Sequence, residues 1–184
     1  MKLIKTILIL FLCLLTIQCK EEQDPKFLIA NSQIGKLDKN SLVRDLELIY
    51  ADDSLVMDTV KLSFGNGASK IRVFEKGGAH LLTLSPNSDS IPTIQNVQIN
   101  DSRYSTGNGI TINSTFKDIK EKYPIKKIIT SINNVVILLK DSDIYFTIDK
   151  TELPASLRYS ANTNVEEVQI PDAAKIKYMM VGWD

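Results

Sequence analysis

The chain has 184 residues, with 22 basic and 22 acidic side chains, one histidine and two cysteines. A formal net charge of zero gives no general field for nucleic acid and no polybasic membrane patch. A single histidine and two cysteines leave too few ligands for a His/Cys zinc centre and exclude a disulfide-dense scaffold.

Residues 1–18 read MKLIKTILILFLCLLTIQ. Lys2 and Lys5 form a short positive head, and Ile7 to Leu15 is almost purely aliphatic. An apolar run of roughly 7–15 residues after a basic head is the layout of a secretory signal. A membrane-spanning helix needs about 20 apolar residues, more than this run supplies. LLTIQC, ending at Cys19, resembles the lipobox of bacterial lipoproteins, although Gln18 stands where Gly, Ala or Ser is usual. The resemblance implies a lipidated cysteine as the mature N-terminus, because the thiolate is the nucleophile that takes the lipid. Lys20, Glu21 and Glu22 follow it. That run resembles the export signal of Bacteroidota surface lipoproteins and implies display at the outer membrane, on the cell surface.

Removing 18 of the 184 residues leaves 166. Lys2 and Lys5 leave with them, so 20 basic side chains face 22 acidic ones, a net charge of −2. Cys13 goes with the signal and Cys19 carries lipid, so stability rests on a hydrophobic core. A chain of about 150 residues can bury roughly two thirds of its surface. Residues 20–26, KEEQDPK, read as a polar tether.

An internal repeat is the main signal in the body. NSLVRDLELIY at 40–50 aligns without gaps on NSTFKDIKEKY at 113–123, and Asn, Ser, Asp and Tyr are identical. Each copy predicts a short helix of about three turns. Ser41, Ser114 and Thr115 are candidate caps for free amides at the helix start, and Asp45 and Asp118 fall in the first turn, where the helix dipole favours negative charge. Thr115 to Asp118 has capping-box spacing. Val43, Leu46 and Tyr50, and likewise Phe116, Ile119 and Tyr123, lie on one helical face. Pro124 ends the second helix.

Strand texture follows each helix. SLVMDTVKLSF leads to a Gly65-Asn-Gly67 turn. KIRVFEKGGAHLLTLSP reads as a hairpin turning at Lys76-Gly-Gly-Ala79, and TIQNVQI as a further strand. KKIITSI, NVVILLK, IYFTIDK and KIKYMMVGW continue the pattern, with TELPASLR as a crossing loop or single helical turn. The expected fold class is therefore α+β: two helix-plus-antiparallel-meander repeats in one compact domain. The expected organisation is a signal peptide over 1–18, lipidated cysteine and tether over 19–26, and one domain over 27–184. Its repeats divide at about residue 100. A glycine, a capping Ser or Thr, a short helix and a meander also resemble the tandem-repeat β-lactamase inhibitor proteins and small outer-membrane assembly lipoproteins.

Catalytic constellations are few. Ser114-Thr-Phe-Lys117 matches the Ser-x-x-Lys motif of serine β-lactamases. No Ser-Asp-Asn or Lys-Thr-Gly accompanies it, and the first copy has Arg44 where Lys117 stands, so the residues read as structural. His80 reads as a surface turn residue. Asp141-Ser-Asp143 lacks the glycine and distal Glu of a calcium loop, and both it and Asp52-Asp53 read as capping turns or a helix end. Trp183 reads as packing the last strand. No cofactor and no metal is expected. The predicted role is a non-catalytic binding or scaffold module anchored through its lipid, with a possible protein partner in the envelope. The alternatives are an inhibitor of an envelope enzyme, or a small hydrolase using carboxylates or Ser114.

Overall fold

Alternation of apolar and polar side chains decides the architecture. The computed structural model describes residues 23–57, 70–159 and 164–183. Eight strands form one antiparallel sheet: β4 (Asp53–Met57), β5 (Ile71–Glu75), β6 (His80–Pro86), β7 (Ile94–Ile99), β9 (Ile125–Thr130), β10 (Asn134–Leu139), β11 (Ile144–Asp149) and β12 (Ile176–Gly182). Their spatial order is β4-β5-β6-β7-β12-β11-β10-β9, so two four-stranded meanders meet where β7 pairs with β12. A second, smaller sheet has the order β3-β2-β1-β8, from β1 (Leu28–Ile29), β2 (Gln33–Ile34), β3 (Leu37–Asp38) and β8 (Ser105–Thr106).

Register places one continuous row of apolar side chains across the large sheet. Leu55, Val73, Leu82, Ile99, Met179, Phe146, Ile137 and Ile128 stand opposite one another in turn, one from each strand. The six central members are buried. Successive side chains of a strand point to opposite faces, so this row defines the core face. Helical segments pack into the same core. Leu46 comes from α1 (Leu46–Ile49), and Phe116 and Ile119 come from α2 (Phe116–Lys122); all three are fully buried. A third turn, α3 (Ala155–Arg158), occupies the predicted crossing segment.

The α+β expectation of two helix-plus-meander repeats in one compact domain is overturned. The molecule is mostly β, with two sheets where one was expected. The first predicted helix is a 3-10 turn over Val43–Asp45 followed by a single α turn. The spacing of Val43, Leu46 and Tyr50 misled because three points on one face are met equally by a tight turn running into one α turn. The second helix spans seven residues, about two turns, and ends before Pro124. The small sheet was missed altogether, since two-residue strands carry no readable periodicity.

At the other end of the sequence the chain is already tied down at Gln23. Its side-chain amide donates to the Ser105 carbonyl at 2.8 Å and to the Ser105 hydroxyl. Asp24 caps the 3-10 turn Pro25–Phe27, and Phe27 is buried against Tyr104 with ring centroids 5.1 Å apart. The last residues of the predicted tether are thus part of the body.

Candidate binding face

The face of the large sheet opposite the core carries its own row: Val56, Arg72, Thr83, Gln98, Met180, Tyr145, Leu138 and Lys127. Val56 and Lys127 are exposed and the six between them half-buried, as expected of a sheet surface in contact with water. A neighbouring row on β9–β12 adds Ile129, Val136, Thr147 and Tyr178. Ile129 and Tyr178 are each 40% exposed. The half on β9–β12 is thus largely apolar and aromatic, with Ile129, Val136, Leu138, Tyr145, Tyr178 and Met180 beside the exposed Lys127 and the buried Thr147. The other half, on β4–β7, is polar apart from Phe74 and Val56, with Thr83, Ser85, Asn96 and Gln98.

Eight strands at about 4.8 Å spacing and six residues at about 3.3 Å rise give a face of roughly 34 by 20 Å. That approaches the ~800 Å² that each partner contributes to a standard protein interface. Apolar side chains clustered on one sheet surface mark a contact site more often than scattered ones do.

Two features stiffen the face. At the seam between the meanders, Asn96 Nδ2 donates to the Tyr145 hydroxyl at 2.7 Å, and the Tyr145 ring packs on Gly182, where a Cβ would stand 3.3 Å from it. Asn96 Oδ1 is buried with no hydrogen-bond partner, beside a cleft of about 370 Å³ lined also by Lys126, Ser142, Asp143 and Gly182. On the polar half, His80 stacks on Phe74 with centroids 4.7 Å apart. Thr83 Oγ1 donates to Asn100 Oδ1 at 3.0 Å, which leaves it to accept from His80 Nε2, also at 3.0 Å. Partial burial holds the His80 pKa below its ordinary value. His80 is thus a half-buried part of the sheet surface, and its position beside a hairpin turn suggested more exposure than it has.

The residues singled out in the sequence fall in different places. Cys19, Lys20, Glu21 and Glu22 lie outside the described residues, as does the Gly65-Asn-Gly67 turn. Thr115 and Asp118 form a complete capping box: the Thr115 hydroxyl accepts from the Asp118 amide, and the Asp118 carboxylate accepts from the Thr115 amide at 2.7 Å. Ser114 is one position too early to cap, and its Oγ accepts from the Thr111 amide at 3.1 Å. Ser41 does the same for Asp38, also at 3.1 Å, and Asp45 makes no side-chain capping bond. Lys117 Nζ points to Glu121, 3.7 Å away. Lys36 lies 3.6 Å from Asp52 and 3.7 Å from Asp53. Ser142 Oγ accepts from the Ile144 amide, closing the turn in which Asp141 takes a φ of 51°. Trp183 is buried and donates its indole N–H to the Asn31 carbonyl at 2.8 Å, joining the end of β12 to the small sheet. Among the described residues no three His, Cys, Asp or Glu side chains stand together as metal ligands, and no helix is long and apolar enough to cross a membrane.

The sequence signal that points to the face is NVVILLK, where Val136 and Leu138 make the second phase of the strand apolar as well. No family model matches the chain, and no curated protein matches it. Among solved structures it is similar to the crystal structure of the uncharacterized protein yfeY from Escherichia coli. That chain is 16% identical, the match covers 84% of this chain and 98% of that one, and the TM-score is 0.49.

Proposed function

We propose that this is a lipid-anchored protein of the cell envelope whose body is a non-catalytic binding module, with the open face of the large sheet as its contact surface. The anchor rests on Cys19, placed after a signal-like run and before Lys20, Glu21 and Glu22. The observation that carries the binding role is the cluster of apolar and aromatic side chains on β9–β12, Ile129, Val136, Leu138, Tyr145, Tyr178 and Met180, set beside a polar half that supplies hydrogen-bonding groups. Such a mixture suits a protein partner, which presents both kinds of surface.

Capture from detergent-solubilised envelopes tests the binding role. Wild-type protein is expected to retain a partner that the paired substitution Ile129→Asp and Tyr178→Asp loses and that Leu48→Asp keeps. Leu48 is 81% exposed on α1 and lies off this face. Equal capture by all three proteins would contradict the reading. Metabolic labelling with a fatty acid tests the anchor, with label expected on wild type and absent from Cys19→Ala.

A further inference from the structure

We propose that the end of the body holding Gln23, the Lys76–Ala79 turn and the Asp101–Arg103 loop rests against the phospholipid headgroups of the anchoring membrane, and that the open sheet face consequently stands on edge to the bilayer. The inference rests on the lipid anchor at Cys19 proposed above and adds the orientation of the body.

The argument is one of reach. Four Cα-to-Cα steps separate Cys19 from Gln23. Fully extended, they span at most about 14 Å. Gln23 is not free to extend the tether, because it is bonded to Ser105. The next residues are held as well. Lys26 Nζ is 3.1 Å from Glu75 Oε1. Arg103 bridges Glu75 at 2.7 Å and Asp101 at 2.8 Å, and its guanidinium lies over the Phe27 ring, 4.4 Å from the centroid. These hydrogen bonds hold the Glu75 carboxyl below its usual range. The exit point is therefore pinned beside the end of β5, where the hairpin turn begins.

Register identifies the neighbours of that point. Glu75 ends β5, His80 begins β6 opposite Phe74, and the Asn100 amide donates to the Leu81 carbonyl. The Lys76–Ala79 turn and the Asp101–Arg103 loop thus share one end of adjacent strands. The loop over residues 87–93 sits at the opposite end of β7. Six residues of strand place it about 20 Å farther away. With a tether shorter than the strand, the first end stays at the headgroups and the second is held off them. The near end carries Lys26, Lys36, Lys76 and Arg103 against Asp24, Asp52, Asp53, Glu75 and Asp101, so the tether and not a positive net charge keeps it there.

The test uses the full lipidated protein in vesicles of phosphatidylethanolamine and phosphatidylglycerol. Once Cys19 carries lipid, a cysteine introduced as Ser102→Cys or Ser90→Cys is the sole thiol for a fluorescent label. Both positions are exposed. Energy transfer to an acceptor on the lipid headgroups should be strong from position 102 and several-fold weaker from position 90. Inserting about twenty Gly/Ser residues between Glu22 and Gln23, enough for roughly 25 Å of random-coil reach, should erase most of the difference. Equal transfer from both sites with the native tether, or stronger transfer from 90, would overturn the orientation while leaving the anchor intact. Mass spectrometry that finds no lipid on Cys19 would overturn the anchor, and the orientation with it.

Discussion

Phe146 and Tyr145 are adjacent on β11 and face opposite ways, so they test which side of the large sheet is core. Phe146 is fully buried between Ile137 and Met179 in the apolar row. Phe146→Ala removes a ring from a packed site and leaves a cavity, a change that costs about 3–5 kcal/mol. Tyr145→Phe, on the open face, removes only the hydroxyl that accepts from Asn96, worth about 1 kcal/mol. With a urea slope of about 2 kcal/mol per M for a chain of this size, the midpoint should fall by about 1.5–2.5 M for the first variant and about 0.5 M for the second. Phe146→Leu, costing about 1.5 kcal/mol, keeps the test readable if the alanine variant does not fold. The assay is urea unfolding of the chain from residue 19 with Cys19→Ser, followed by fluorescence of the buried Trp183. A Tyr145→Phe loss larger than that of Phe146→Ala would refute the assignment of faces.

Other expectations concern local structure and pH. Gly35 has a φ of 53°, and a Cβ there would lie 2.2 Å from the Lys26 carbonyl oxygen. Gly35→Ala should therefore lower stability by at least about 2 kcal/mol, seen as a lower urea midpoint. Thr115→Ala should cost about 1 kcal/mol by opening the capping box, and Lys117→Met should leave the midpoint unchanged within about 0.5 kcal/mol. Asp149 accepts from Lys177 Nζ at 2.7 Å, and that bond, with two from Thr151, holds its pKa at about 2. Because this carboxyl is depressed in the folded state, its stabilisation is complete above its ordinary value near 3.8 and is lost as pH falls through about 2. Unfolding midpoints between pH 5 and pH 2 should therefore converge for wild type and Lys177→Met as the pH drops.

Much of the large sheet was legible because its strands are long enough to alternate. The runs NVVILLK and TIQNVQI became β10 and β7, and the turn at Lys76–Ala79 followed from its paired glycines. The small sheet was not legible. Its strands are two residues long, and the parallel pairing of β1 with β8 joins residues 28–29 to 105–106, a long-range contact that no local pattern encodes. Helix at 43–50 was overread from three apolar positions. The cap at Thr115 and Asp118 was readable because the spacing requires both partners, whereas Ser41, Asp45 and Ser114 share the composition of caps without occupying the position. The binding face was readable only in part. Apolar residues in both phases of β10 signal a strand with two apolar surfaces, but register alone brings Tyr178, Tyr145 and Ile129 onto one of them.

The most direct measurement of the binding account is photo-crosslinking in living cells, with a photoreactive phenylalanine derivative placed at Tyr178 or Met180 on the open face, or at Leu48 away from it. The account predicts one discrete adduct from both sheet positions and none from position 48. Adducts from position 48 alone, or none from either sheet position in a correctly localised protein, would contradict it.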